Sequence, residues 1–169
     1  MESRAKFLGH AIHPILIVFP LGLLATGVVF DVIYLIWGNP EMANVAYWMF
    51  AVGIVGGLIA APFGLIDWLA IPSGTRAKTI GAMHGLSNVV ALLLFASSWW
   101  FRNDLPERPE TLASILSFLG AGVAGLGGWL GGELVERLGV GVDEGANLNA
   151  PNSLSHAHAG STKAPVNKI

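Results

Sequence analysis

Two histidines and two carboxylates are the residues best suited to chemistry in this chain. His13 stands at the start of a long apolar run, Asp67 near the end of the second run, His84 near the start of the third, and Glu133 just after the fourth. Ionisable side chains in apolar runs of membrane length are costly to bury and are usually functional. These four residues therefore define the candidate site.

The two histidines could ligate a metal. Imidazole binds haem iron or a divalent cation through one ring nitrogen, while a carboxylate or carbonyl holds the other N–H. We predict that His13 and His84 bind the iron of a haem b, with Asp67, Glu133 and Asn88 as further cofactor-binding residues. A zinc or manganese site is an alternative. A second alternative is a pair of histidines that are only hydrogen-bonded in a helix bundle or hydrated at its surface.

The composition excludes several other kinds of site. Cysteine is absent, which excludes disulfides, thiolate-bound iron–sulfur clusters, a thiol nucleophile and covalently attached haem. The net charge is −2, so no basic field exists for nucleic acid. No nucleophile–base pair and no phosphate-binding loop is present, and we do not expect this chain to be an enzyme on its own.

The elements that must position these residues are membrane spans. Hydrophobic residues make up 53% of the chain and charged residues 12%, about half the usual charged fraction of roughly 25%. A bilayer core of about 30 Å needs about 20 apolar residues in a helix, and lipid leaves no partner for unpaired backbone amides. The sequence therefore predicts an all-α, four-helix antiparallel transmembrane bundle with spans at about residues 15–37, 45–71, 80–101 and 111–130.

This up-down winding brings the candidate residues to one end of the bundle. The first and third spans run parallel and are diagonal partners, with backbones roughly 11–14 Å apart. That separation suits two imidazoles on one central iron. We predict that His13 and His84 approach each other, with Asp67 and Glu133 within direct or water-bridged hydrogen-bonding distance.

The glycines and prolines in the spans predict helix contacts and kinks. The second and fourth spans contain small residues at four-residue spacing, which favours close helix packing or the placement of a flat cofactor. On this basis Gly128 is expected at a helix contact. Pro20 and Pro62 lie inside spans and are expected to kink them.

The cations near the span ends predict an orientation. Five lie at one end of the bundle and two at the other. The bias predicts a multi-pass protein of the bacterial inner membrane with both termini in the cytoplasm. The two groups are Arg4, Lys6, Arg76, Lys78 and Arg137 against Arg102 and Arg108.

The composition changes after residue 142. Residues 1–142 are interpreted as the transmembrane domain, and 143–169 as a flexible polar tail without an apolar period. His156 and His158 in this tail could bind a metal, although solvated side chains are the simpler interpretation.

Several short motifs in this order resemble a known family, the bacterial membrane proteins grouped as domain of unknown function 2231. The resemblance covers roughly residues 8–142, and G-W-L-G-G-E-L-V at 128–135 is its most specific part. His13 and His84 match family positions. Relatives often carry a histidine before G-V-G-V, where this chain has Leu138. The other motifs are H-P at 13–14, F-P at 19–20, G-L-I-D-W at 64–68 and G-V-G-V at 139–142.

The resemblance implies a membrane-embedded protein, sometimes adjacent or fused to Rieske-type redox domains, without a settled activity. Three functions are left open. The first is electron transfer with a bound haem b or quinone, and the second is a non-catalytic accessory subunit that docks in a larger membrane complex. The third is conduction of protons or small solutes. Membrane lipids are expected partners in each case.

Overall fold

The structure, a computed structural model, describes residues 1–154, so His156 and His158 lie outside the described residues. Within this part, four helical stretches are long and apolar enough to cross a membrane. The predicted all-α bundle is confirmed. Its helices are α1 (Ile12–Leu16), α2 (Val18–Trp37), α3 (Pro40–Ala70), α4 (Arg76–Trp100) and α5 (Thr111–Gly132), and a π-helical turn, Glu133–Arg137, extends α5.

The turns between spans are fixed by local residue chemistry. Gly38 ends α2 with a φ of 67°, a conformation that costs glycine little. Asn39 then caps α3 by accepting a hydrogen bond from the Glu41 amide at 3.0 Å. Thr75 caps α4 in the same way through the Lys78 amide at 3.1 Å. Each cap satisfies an amide that the first helical turn leaves unpaired.

The two prolines inside spans behave differently. The first span is divided at Ile17, which separates α1 from α2. Pro20 follows three residues later and cannot donate a hydrogen bond to the Leu16 carbonyl, which explains the break. Pro62 lies inside α3, which continues as one helix past it.

The first span packs along α3, and α4 packs along α5, so the bundle consists of two helical hairpins. Residues from three spans meet in its buried apolar cluster, namely Leu24, Ala46, Phe50 and Phe95. The chain ends of the bundle lie together because the amino group of Met1 donates to the Gly139 carbonyl at 3.1 Å. The Gly141 amide returns a hydrogen bond to the Met1 carbonyl at 2.8 Å.

A small hairpin precedes the first span and was not expected from the sequence. Its strands, β1 (Lys6–Phe7) and β2 (His10–Ala11), pair antiparallel. The turn residues Leu8 and Gly9 have φ values of 50° and 84°, as in the two-residue turns that suit such hairpins. The hairpin carries His10, which is exposed and whose Nε2 lies 3.2 Å from the Ser153 hydroxyl.

Candidate functional site

The candidate site is centred on His13 and His84. The centroids of their rings are 6.4 Å apart and the ring planes are perpendicular, at 89°. The predicted approach of these residues across the bundle is therefore confirmed. We call this region, with the residues that contact the two imidazoles, the histidine end of the bundle.

Each imidazole is held by a backbone carbonyl of the neighbouring helix. Nδ1 of His13 lies 3.1 Å from the carbonyl oxygen of Ala60. Nδ1 of His84 lies 2.8 Å from that of Gly127. A carbonyl oxygen can only accept, so Nδ1 carries the proton in both rings and Nε2 carries a lone pair. This is the tautomer that a metal-binding histidine adopts when its second nitrogen is held in place.

Glycines make these two hydrogen bonds possible. Gly64 and Gly131 each follow the accepting carbonyl by one helical turn. A Cβ on Gly64 would lie 2.9 Å from Cε1 of His13, and one on Gly131 would lie 3.1 Å from Cε1 of His84. Any larger residue would therefore push the imidazole away from its carbonyl. The glycine spacing thus contributes to the site itself as well as to helix packing.

The inward glycine face was predicted in part wrongly. Gly127 and Gly131 face the site, whereas a Cβ on Gly128 or Gly132 would meet nothing within 4 Å. Gly128 is consequently not at a helix contact. The four-residue spacing fits both faces equally well, and only the partners of the helix decide which one turns inward.

Asn88 contacts His84 as its spacing suggested. Its Nδ2 donates to the His84 carbonyl at 2.9 Å and lies 3.3 and 3.2 Å from the two ring nitrogens. A nitrogen nearly equidistant from both lies over the ring face rather than in line with a lone pair. Asn88 therefore does not occupy the in-plane lone-pair position of His84 Nε2.

Asp67 has a different role from the one expected. Its carboxylate accepts hydrogen bonds from the Ser3 hydroxyl at 2.8 Å to both oxygens, from the Arg4 amide at 2.7 Å and from the Ala5 amide at 3.3 Å. The expected direct hydrogen bond to a histidine is not formed. Asp67 instead anchors the segment that leads into the hairpin, and its role as a cofactor-binding residue stays a prediction.

Glu133 also pairs elsewhere. Its carboxylate contacts the guanidinium of Arg76 at 2.5 Å in an ion pair at the bundle surface. Within residues 1–154, the N–H groups of the two histidines are held by carbonyls rather than by carboxylates. The physical reason is proximity, because the carbonyls of the adjacent helix lie beside the rings where glycine exposes them.

Charged side chains close the surface of the histidine end. Nζ of Lys6 contacts Glu2 at 2.7 Å and Asp143 at 2.6 Å. The hydrogen bond to Asp143, with that to Glu2, raises the pKa of Lys6 above its usual value. The hydrogen bond from Lys6 also lowers the pKa of Glu2. The contribution of the Glu2 carboxylate to the stability of the folded state is therefore present at neutral pH. It is lost as the pH falls through the lowered pKa of Glu2.

A second polar cluster, at the opposite end of the bundle, was missed from the sequence. Asp31 and Arg102 form a two-pronged ion pair, with Nη1 to Oδ1 at 2.5 Å and Nη2 to Oδ2 at 2.7 Å. Both residues are 0% exposed. Arg102 was counted as a loop cation because it follows the third apolar run. The available signal was that an up-down bundle places Asp31 and Arg102 at the same end.

Residues of all four spans surround this ion pair. The Ser117 hydroxyl donates to Asp31 at 2.7 Å, and Nε of Arg102 donates to the Ser98 hydroxyl at 3.3 Å. The guanidinium carbon lies 4.9 Å from the centroid of the Phe50 ring. We call this cluster the ion-pair end. Asp31 lies about 27 Å from His13 along the first span, for the 18 residue-to-residue steps between them at a rise of about 1.5 Å.

The fold defines a class: an α-helical membrane protein with four candidate spans, in which His13 and His84 lie side by side. The family model described as predicted membrane protein (DUF2231) matches residues 9–144. The chain belongs to this family, as its motifs suggested. No curated protein and no solved structure matches the chain.

Proposed function

We propose that this protein is an electron-transfer subunit of the membrane in which His13 and His84 hold one haem b. The distance between the rings carries the proposal. Two metal–nitrogen bonds of about 2 Å, extended by the radius of each ring, separate the centres of two opposed imidazoles by about 6.3 Å. The observed separation is 6.4 Å.

The chain's own residues supply the rest of the site. The Ala60 and Gly127 carbonyls fix both imidazoles as Nδ1–H tautomers, the form in which Nε2 can bind a metal. Gly64 and Gly131 keep side chains away from the imidazoles on α3 and α5. A bound haem would supply one-electron redox chemistry, and the apolar walls would keep water from it. A quinone or a larger membrane redox complex would then be the electron partner.

A docking subunit without a cofactor is the competing function. It accounts for the small bundle with short loops. It does not account for two imidazoles whose ring centroids are 6.4 Å apart and whose Nδ1 atoms are both held by backbone carbonyls. This arrangement supports a metal-centred ligand over a purely structural role.

The visible spectrum of the protein, purified in mild detergent from haem-replete cells, tests the proposal. We expect one haem per chain, a Soret band that sharpens with dithionite, and loss of haem in His84→Ala. His10→Ala is the matched control because His10 is exposed and contacts Ser153 at 3.2 Å. A colourless protein that does not take up added haem would refute the proposal. Zinc or manganese in that sample would favour the alternative metal site.

We also propose that both termini lie in the cytoplasm, which the cation bias supports. The cysteine-free chain allows clean labelling of single cysteines. Ser73→Cys, in the α3–α4 turn, is expected to resist a membrane-impermeant thiol reagent on intact cells. Asp104→Cys, at the other end, is expected to react. The reverse pattern would contradict the orientation.

A further inference from the structure

The buried residues of the third span repeat those of the first. Asp31 and Arg102 are separated by 71 positions. The same separation relates other residues buried in α2 and α4, and it relates His13 to His84. The further pairs are Pro20 and Ala91, Leu24 and Phe95, and Gly27 and Ser98.

The second and fourth spans repeat in the same way at their own constant offset. Five residues buried in α3 have a buried counterpart in α5 that lies 67 positions later, as in 46 to 113 and 60 to 127. Their agreement extends over four helical turns. The pairs are Ala46 and Ala113, Tyr47 and Ser114, Phe50 and Ser117, Gly53 and Gly120, and Ala60 and Gly127.

Contacts repeat as well as burial. A Cβ on Gly53 would meet the side chain of Leu24 at 2.7 Å, and a Cβ on Gly120 would meet that of Phe95 at 3.1 Å. These are equivalent contacts, because Phe95 is the counterpart of Leu24. Two unrelated hairpins would share the helical period, and this alone would give buried residues at matching positions. It would not explain why equivalent residues contact equivalent glycines.

The histidine contacts follow the same rule. His13 reaches the Ala60 carbonyl beside Gly64. His84 reaches the Gly127 carbonyl beside Gly131. Each hairpin thus contributes one histidine, one accepting carbonyl and one glycine in the same arrangement.

The two hairpins run in the same direction, so the operation that relates them is a pseudo-twofold axis along the bundle. In a twofold interface, equivalent residues near the axis meet each other. Both polar centres have this property, since His13 contacts His84 and Asp31 contacts Arg102. Even the neighbours correspond: Ser117 binds Asp31, and its counterpart Phe50 lies under Arg102.

We propose that the chain is a tandem repeat of a two-span hairpin, in which each hairpin's inner face is the binding partner of the other. The Asp31–Arg102 pair makes this pairing specific for unlike hairpins. Pairing of like hairpins would place two aspartates or two arginines together on the axis, in an apolar interior where neither charge is compensated. The inference is independent of any cofactor.

Exchange of residues across the axis tests the proposal in the full chain. Asp31→Arg alone puts two cations on the axis, and the unfolding temperature in detergent should fall by about 10 °C or more. Adding Arg102→Asp restores an ion pair but leaves its neighbours exchanged, so recovery should be partial. Adding Phe50→Ser and Ser117→Phe moves the neighbours too, and the fourfold variant should be more stable than the twofold one.

The control is Phe50→Ser with Ser117→Phe in the otherwise unchanged chain, which should be destabilising because Asp31 loses the Ser117 hydroxyl. If the two hairpins were not equivalent, exchange of Phe50 and Ser117 would not raise the unfolding temperature of the unchanged chain or of the variant with Asp31→Arg and Arg102→Asp. A fourfold variant that is less stable than the twofold variant, or that does not accumulate as folded protein, would overturn the proposal.

Discussion

The two ends of the bundle differ in how their polar residues are buried and paired: Asp31 and Arg102 are fully buried, whereas His13 and His84 are partly exposed. At the ion-pair end, both oxygens of Asp31 and three nitrogens of Arg102 have partners within hydrogen-bonding distance. At the histidine end, one nitrogen of each ring is held by a carbonyl, and each Nε2 has no carbonyl or carboxylate partner within residues 1–154. A cluster that is paired within the chain stabilises a geometry, whereas Nε2 atoms without a carbonyl or carboxylate partner are the atoms that we propose bind a ligand.

The largest expected effect is at the ion-pair end. Arg102→Met leaves the Asp31 carboxylate buried without its partner, and loss of one member of such a pair typically costs about 3–5 kcal/mol. Thermal unfolding in detergent measures this. Asp31→Leu combined with Arg102→Met is the matched control, because removal of both charges should restore most of the stability. Equal loss in the two variants would show that the ion pair does not dominate this end.

The next effect is at the glycine face of the histidine end. Gly131→Leu places a side chain where a Cβ already approaches His84 to 3.1 Å, and overpacking of this kind typically costs about 1–3 kcal/mol. Gly128→Leu, on the same helix, meets open space and should leave the unfolding temperature nearly unchanged. Similar stability of the two variants would argue against the inward direction of Gly131.

The smallest effect concerns the segment anchored by Asp67. Asp67→Asn replaces a carboxylate that accepts hydrogen bonds from three donors by a neutral amide, which weakens the local anchoring of this segment. We expect faster hydrogen exchange at the Arg4 and Ala5 amides with little change in bundle unfolding. Asp143→Asn, which removes only an exposed partner of Lys6, should leave that exchange unchanged. Slow exchange in Asp67→Asn would mean that other contacts hold the segment.

The sequence was sufficient to predict the bundle because length and apolarity alone define a span. Short loops between such spans give antiparallel winding, and this winding brings His13 and His84 to the same end of the bundle. The partners of Asp67 and Glu133 did not follow from the winding, because side chains take whichever donor the loops supply. Here Ser3 and Arg76 were nearer than the histidines.

To predict the ion pair and the inward-facing glycines, one must know how each helix is rotated about its own axis. The apolar sequences of the spans specify this rotation only weakly. Lipid-facing and buried positions are both apolar in a membrane bundle, so hydrophobic periodicity does not tell Gly128 from Gly131. The offset that relates Asp31 to Arg102 was present in the sequence. It becomes visible only when burial selects which residues to compare.

Haem content, measured in parallel for variants of the two ends, tests the central claim most directly. The account predicts that Asp31→Leu with Arg102→Met keeps one haem per chain, because it changes only the cluster that holds the helices. It predicts that His13→Ala and His84→Ala each lose the haem and keep most of the thermal stability. Equal haem content in all of these proteins, or none in the unchanged chain, would contradict the assignment of the histidine end as the ligand site.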